Sequence, residues 1–534
     1  MLLVALLSLE LHAQEMVNLE VYYCSHDNRA KSTCYNENGS SFLAGEFNGE
    51  IIIGFNYVNN PNFNSAYFVK KSPSGEIPFL KTFQSSGYLS VSTIISKNNN
   101  VIIGGTYSDS LFIGTDTLIN GNFKGMYLAF FDTLGNYQYT INPNSYSSEL
   151  HDIAFVSDSE IVFTGEFYGH FEIHDIYLNG ELGFNMFLIK YDYVLNEFIW
   201  GKSSSGVATN GKSVRSDLNS NIIVTGSYGD GTTFDGQVLN GVMGDHNQFV
   251  AKYSSNGNLI WIKTITGPVQ THGLGLAVTN EGEIYVSGEF EFSIDIPTIG
   301  TFVSVGLMDA YIAKIDTDGS FCWGKSFGSD DNDHGIKIGI DQYDNPILLI
   351  NAGKTIHFQN YDLSASGFRD PLLVKLNKVN GDYIWHHRIP SNPPSGIVEG
   401  NSFDIYQNTI SICGSNRTGI LFNGDVFESP NLDDSFWAII IDTNVFDPSL
   451  SIIDFGIIQN KSTIMPNPFE DYFKVTSSEK VYSIDIYDNR FSHIHSIDYE
   501  GSETILIPSS LPSGIYHIKI NTSENHFFLK AFKR

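Results

Sequence analysis

Residues 249–290 read FVAKYSSNGNLIWIKTITGPVQTHGLGLAVTNEGEIYVSGEF. Four short runs of alternating or continuous apolar residues are separated by turn clusters at 254–258, at Gly267-Pro268 and at 280–282. Strand-length runs punctuated in this way describe a four-stranded antiparallel unit. The run Phe249-Val250-Ala251-Lys252 returns along the chain, ending at Lys70, Phe130, Lys190, Lys252, Lys314, Lys375 and Ile439, in steps of 60, 60, 62, 62, 61 and 64 residues. About ten residues further on stands a large aromatic: Phe79, Tyr139, Trp200, Trp261, Trp323, Trp385 and, in the seventh copy, Phe446. A third mark, a strand end of the form Gly-x-aromatic, occurs at Gly105, Gly165, Gly226 and Gly288. The first, sixth and seventh copies depart from it, at Phe55-Asn56-Tyr57, Asn351-Ala352-Gly353 and Gly414-Ser415-Asn416.

A lone four-stranded sheet leaves both faces wet, so each copy needs a neighbour on either side. Stacking the copies radially closes the array and leaves only short edges. The expected fold is therefore all-β: a seven-bladed β-propeller over residues 41–448, with the aromatics wedged between blades, followed by a small Ig-like β-sandwich. An open β-solenoid is the rival, but its coils repeat at about 20–30 residues. Length supports a propeller plus a smaller domain, because 534 residues exceed one ordinary domain. So does composition, with 49 Gly, 28 Tyr and 39 Phe and few helix-favouring runs.

The charge excludes some partners. Thirty Lys plus Arg against 59 Asp plus Glu leave a net charge of −29, which repels nucleic acid and anionic membranes. Neutral sugars and cations remain acceptable, and the acidity also serves solubility.

The chain opens with an apolar run ending at Ala13, which has the form of a secretory signal peptide over residues 1–13, without a basic start and with Leu11 as a poor cleavage neighbour. No other stretch is long and apolar enough to cross a membrane as a helix. Residues 14–40 form an N-terminal segment ahead of the repeats. There Cys24 and Cys34 lie ten residues apart among turn residues and could close a small disulfide loop in an oxidising envelope. Cys322 and Cys413 sit inside strand runs and read as core residues.

Across residues 41–448 the chain resembles the bacterial β-propeller repeat family (SBBP-like), whose unit runs apolar-Lys-apolar, a Gly turn, Leu-x-Trp, and an Asn-Gly turn before Val-Tyr-Val-Thr-Gly. The resemblance is carried best by Phe249 to Lys252 with Gly257, Leu259 and Trp261, and by Tyr311 to Lys314 with Gly319 and Trp323. It implies a fold and no particular activity, since propellers host enzymes, adhesins and scaffolds alike.

Chemistry inside the repeats is sparse. No H-E-x-x-H occurs, and the letter matches to G-x-S-x-G at 324–328 and to a P-loop at 206–213 fall within the β repeats, outside the strand-to-helix context those motifs require. No cofactor is expected, with calcium the single metal worth carrying forward. Asp316-Thr317-Asp318-Gly319 starts like a calcium loop but lacks the later Glu, so a hairpin turn is the better reading; Asp330-Asp331-Asn332-Asp333 reads as a solvated acidic loop. His151, Asn210, His272 and His334 recur at similar places before the glycine of their blades, so they are expected to serve the blade, for instance by bonding a neighbouring carbonyl. His386-His387 and His170/His174 break the pattern but have no carboxylate partners at a recognisable spacing. Phe302 and Phe427, on the long inserts 288–309 and 414–434, either form sugar-stacking platforms or cover the outer strands.

The repeat stops near Asp447-Pro448. Residues 449–462 read as a linker and 463–534 as a separate β domain with alternating runs. This segment resembles the C-terminal sorting domain of the type IX secretion system, through Pro466-Asn467-Pro468, Ile484-Asp485-Ile486-Tyr487-Asp488, Leu511-Pro512-Ser513-Gly514-Ile515-Tyr516 and the basic end Lys530, Lys533 and Arg534. Arg490-Phe491 departs from the family's Gly turn. Physically, Pro466 and Pro468 stiffen the entry, and Gly514 lets the chain turn so that Tyr516 and Ile518 share one face. The resemblance implies type IX machinery as a partner and a secreted or outer-membrane surface location. Two function classes follow: a non-catalytic propeller that binds glycan or protein, favoured by the absence of any catalytic motif in its required context, and a secreted hydrolase acting on polysaccharide or peptide through loops of one face.

Overall fold

A computed structural model of the chain describes residues 14–22, 26–53, 56–206, 208–241, 246–365, 368–393, 396–422, 425–429, 433–442, 462–465, 472–487, 493–508, 514–522 and 526–533. Every regular element among them is a strand. The chain divides into two compact units, Met1–Asp447 and Pro448–Arg534.

The first unit holds seven four-stranded antiparallel blades. Blade 1 is Asn28–Tyr35, Ser41–Ile53, Asn56–Lys71 and Phe79–Ser85, numbered from the innermost strand outward. Blade 3 is Asn144–Phe155, Glu160–Ile173, Ile176–Asp192 and Glu197–Ser203, and blades 2, 4, 5 and 6 repeat the order. Blades 1 and 2 are joined where Gln84 and Ser85 pair with Phe112 and Leu111. The seven innermost strands neighbour one another in a closed circle, the last against the first. This is the seven-bladed propeller.

Closure is not where the repeat spacing puts it. Blade 7 takes Val398–Tyr406, Thr409–Asn416 and Asp434–Asp442 from the end of the unit. Its outermost strand is Gln14–Tyr22, antiparallel to Asp434–Asp442. The segment 14–40 is therefore not ahead of the propeller: it supplies the last strand of blade 7 and the first of blade 1. Opposite Ile439, where other blades carry the aromatic, stands Asn18; Phe446, expected there, lies outside the described residues.

The glycine mark is a packing requirement. In six blades a glycine of the second strand faces an aromatic of the third, as in Gly165 opposite Phe187 and Gly288 opposite Tyr311. A β-carbon on Gly165 would strike the Glu149 carbonyl oxygen and the Phe187 ring; on Gly288, the His272 carbonyl and Tyr311. Blade 1 obeys the rule through Gly45, opposite Tyr67, rather than departing at Phe55, and blade 7 through Gly414, opposite Phe436. Only blade 6 lacks it: Ile350 faces Leu372, so glycine and aromatic disappear together.

The repeated lysine is structural too. Lys252 meets Asp217 at 3.0 Å, Lys314 meets Glu283 at 2.8 Å, and Lys375 lies 2.6 Å from both Asp341 and Asp442, which ties blade 6 to blade 7. Each of these ammoniums is buried and needs its partner there. Two of the outer-strand tryptophans latch consecutive blades, Trp200 donating to Ser255 O at 3.0 Å and Trp323 to Lys378 O at 3.2 Å.

In the second unit Tyr472–Tyr487 is the hub. It pairs with Ser462–Met465 in its first half, with Gly514–Thr522 in its second and with His493–Pro508 along both, while His526–Lys533 adds to Gly514–Thr522. Ile484, Ile486, Tyr516, Ile518 and Ile520 are buried, alternate positions on paired strands.

Candidate ligand-binding site

The innermost strand of every blade bulges by one residue at the same place. A bulge turns the extra side chain out of the ladder, and three blades use it to reach the next one. Ser92 Oγ donates to Leu150 O at 2.6 Å, His151 Nδ1 to Gly211 O at 2.9 Å and Asn401 Nδ2 to Ala30 O at 2.7 Å. His151 thus bonds a neighbouring carbonyl. It is the bulge residue, however, whereas Asn210, His272 and His334 stand two positions earlier in their own strands, where blade 3 has Glu149. His272 instead lies 3.3 Å from Ser227 Oγ, and His334 is 2.6 Å from Glu289.

Just before the bulge, at the mouth of the channel, blade 3 gathers its charges. Glu149 faces Glu166 across the first two strands, an arrangement of like charges that repels unless compensated. Lys124 from blade 2 bonds Glu149 at 2.7 Å, and Lys212 from blade 4 lies 3.3 Å from His151 Nε2. Burial pushes the Glu166 carboxyl up and the Lys212 ammonium down. Burial, reinforced by Lys212, holds His151 neutral with a pKa near 3. Ligand atoms of Glu149, His151 and Glu166 all lie within 4.8 Å of one another, the only such trio among the described residues. Two lysines already serve it, and their charge opposes a metal ion there.

Beside this cluster runs a row of exposed rings. Phe123 lies 4.3 Å from Tyr146, Tyr146 5.8 Å from Tyr168, and Tyr168 5.7 Å from Phe184, centroid to centroid. Each is 40–48% exposed. Lys124 lies over the Tyr88 ring at 5.2 Å, extending the row on the side of blade 2. Tyr168 is two residues beyond Glu166 on the same strand, opposite Ser147.

The expected aromatic platforms are elsewhere. Phe302 packs on the blade 5 core and Phe427 on that of blade 7, so both cover strands. Asp316 to Gly319 forms a hairpin turn, Gly319 N bonding Asp316 O at 2.9 Å. Asp333 is not solvated: it is buried and accepts from Ser329 N at 2.6 Å and Gly353 N at 2.9 Å. His174 pairs with exposed Asp175, and His386 with Tyr383, both away from the mouth. Cys34 is a buried free thiol, and Cys24, its expected partner, lies outside the described residues. Residues 1–13, Pro466, Asn467, Pro468 and Arg534 also lie outside the described residues; Gly514 opens a strand, Tyr516 is buried, and Lys530 and Lys533 belong to the last strand.

Residues 463–533 match the family described as a secretion system C-terminal sorting domain. A curated relative, an uncharacterized WD repeat-containing protein of Acanthamoeba polyphaga mimivirus, is 24% identical over 360 residues, covering 53% of this chain and 26% of its own length. The chain thus spans about a quarter of that relative. Among solved structures, Pyrococcus horikoshii acylaminoacyl peptidase aligns at 11% identity over 85% of this chain and 59% of its own, with a TM-score of 0.38. A fungal alcohol oxidase in complex with copper aligns at 12% identity over 81% and 95%, with a TM-score of 0.27. The sorting domain makes the chain a cargo of type IX secretion, secreted or held at the cell surface. Among the described residues no helix is long and apolar enough to cross a membrane.

Proposed function

We propose that the propeller is a non-catalytic binding module, displayed outside the cell, that takes a glycan along the blade 2–blade 3 lip. The observation that carries this reading is the row Phe123, Tyr146, Tyr168 and Phe184, exposed and contiguous beside hydrogen-bonding carboxylates and ammoniums. Exposed apolar rings grouped on a soluble protein mark a binding surface. Aromatic faces stack on the C–H faces of sugar rings, while Glu149, Glu166, Lys124 and Lys212 offer acceptors and donors to hydroxyls. A glycan array probed with the full chain and with the Tyr146→Ala/Tyr168→Ala double variant tests it. Loss of glycan retention in the variant is expected. Equal retention by both proteins, or binding to protein ligands alone, contradicts it.

One observation favours a hydrolase as the second reading. Lys124 pairs with Glu149 at 2.7 Å, while burial drives the facing Glu166 toward its protonated form. Two close carboxyls, one paired with a cation and one pushed toward its protonated form by burial, are the equipment of a glycosidase nucleophile and acid. Turnover of an array-positive glycan that Glu166→Gln abolishes without loss of binding would replace the first reading with this one.

A further inference from the structure

The channel at the centre of the ring contains a cavity of about 360 Å³ lined by all seven innermost strands. Its wall follows the sevenfold pattern except at four places. At the first position after the bulge, five blades carry Ser, Thr or Gly, and two carry Asp152 and Lys337. Two residues further on, five blades carry uncharged residues, and two carry Arg215 and Asp404. A residue that serves the blade recurs from blade to blade, so these four need separate explanations.

Three of them have one. The innermost strand of each blade presents an open edge of amides to the channel. Asp152 Oδ2 accepts from Val214 N at 3.0 Å and Ser213 Oγ at 2.8 Å, and Asp404 Oδ2 from Tyr35 N at 2.7 Å, so both aspartates cap the next blade. Arg215 Nη1 bonds Asp152 at 2.7 Å. Lys337 is the exception. Among the described residues its ammonium has one hydrogen bond, to Ser402 Oγ at 2.8 Å, and no carboxylate at ion-pair distance. An ammonium so placed is costly unless it meets an anion. Arg215, on the same wall two blades away, has no hydrogen bond to its Nη2 among the described residues, and between them the wall is formed by Ala277, Val278 and Gly339. Burial, and then the charge of Arg215, depress the Lys337 pKa, which is the strain a counter-ion relieves.

We infer that the channel holds a small oxyanion, a carboxylate or phosphate group, between the Lys337 ammonium and the free side of the Arg215 fork. Arginine presents a planar pair of donors suited to such groups, and the volume falls within the range of small-molecule sites. The site is separate from the lip and stands whether or not the lip binds glycan. Calorimetric titration of the full chain with sodium acetate and, separately, with inorganic phosphate in a chloride background tests it. One equivalent of at least one anion is expected to bind saturably, at least tenfold more weakly in Lys337→Met and within threefold of wild type in Lys337→Arg. Lys337→Met replaces a half-buried charge with an apolar chain of similar reach and is expected to fold; if it does not, the wild-type titration and Lys337→Arg still decide. Absence of saturable heat with both anions, or Lys337→Met binding as wild type does, overturns the site in favour of water alone.

Discussion

Blade 3 and blade 7 are the same four-stranded unit put to opposite uses. Blade 3 is one continuous piece of chain, and its charges at the channel mouth are left beside exposed rings. Blade 7 is stitched from both ends of the unit, and its mouth is consumed by the join. Buried Asp433 accepts from Arg29 at 2.6 Å and from Arg417 at 2.6 Å, fastening blade 1 to blade 7. Around it Thr33 Oγ1 meets Ser411 Oγ at 2.8 Å, and the buried Trp437 indole donates to the same Ser411 at 2.7 Å. Lys71 of blade 1 pairs with Glu20 of the incoming strand and lies over the Trp437 ring at 5.2 Å. Blade 7 spends its mouth on closure, and the exposed rings and facing carboxylates stand in blade 3, where the chain is uninterrupted.

That contrast can be broken from either side. Asp433→Ala removes the carboxylate shared by two arginines and is expected to cost about 3 kcal/mol; the figure stays at the low end for buried pairs because both arginines are partly exposed. Chemical denaturation measures it, and a loss below about 0.5 kcal/mol, the scale of an ordinary surface change, would show that blade 7 is held by its strands alone. Gly165→Ala forces a β-carbon against the Glu149 carbonyl and should cost about 1–3 kcal/mol, as overpacking does. Ile350 shows the escape, since blade 6 tolerates a side chain there after giving up the aromatic opposite. Gly165→Ala combined with Phe187→Leu should therefore cost less than the sum of the two single changes. The smallest effect belongs to the lip, where Tyr146→Ala/Tyr168→Ala should leave stability nearly unchanged while removing the proposed glycan binding.

The repeat itself was legible because each mark has a mechanical cause: the glycine yields to a carbonyl and a ring, the lysine seeks its carboxylate, and the indole reaches the next blade. Gly45 was within reach of the same arithmetic, standing 25 residues before Lys70 as Gly105 does before Phe130. The closing strand was not. Gln14–Tyr22 carries none of the marks, because an outermost strand contributes neither glycine nor lysine, and Phe446 stood at the right spacing to be taken for its aromatic. The lip was half visible: Glu46, Glu166 and Glu289 fill the middle place of Gly-Glu-Phe in three blades. Phe123, Tyr146, Tyr168 and Phe184 are scattered over 62 residues, and only the approach of blade 2 to blade 3 brings them into line. Lys337 could be singled out only once the bulges had fixed which positions correspond.

Closure by the N-terminal strand carries all of this, and hydrogen–deuterium exchange of the full chain tests it most directly. Peptides covering residues 14–22 should be protected as strongly as those covering 434–442, and both should lose protection together in Asp433→Ala. Exchange of 14–22 at the rate of free chain, with 434–442 still protected, would contradict it.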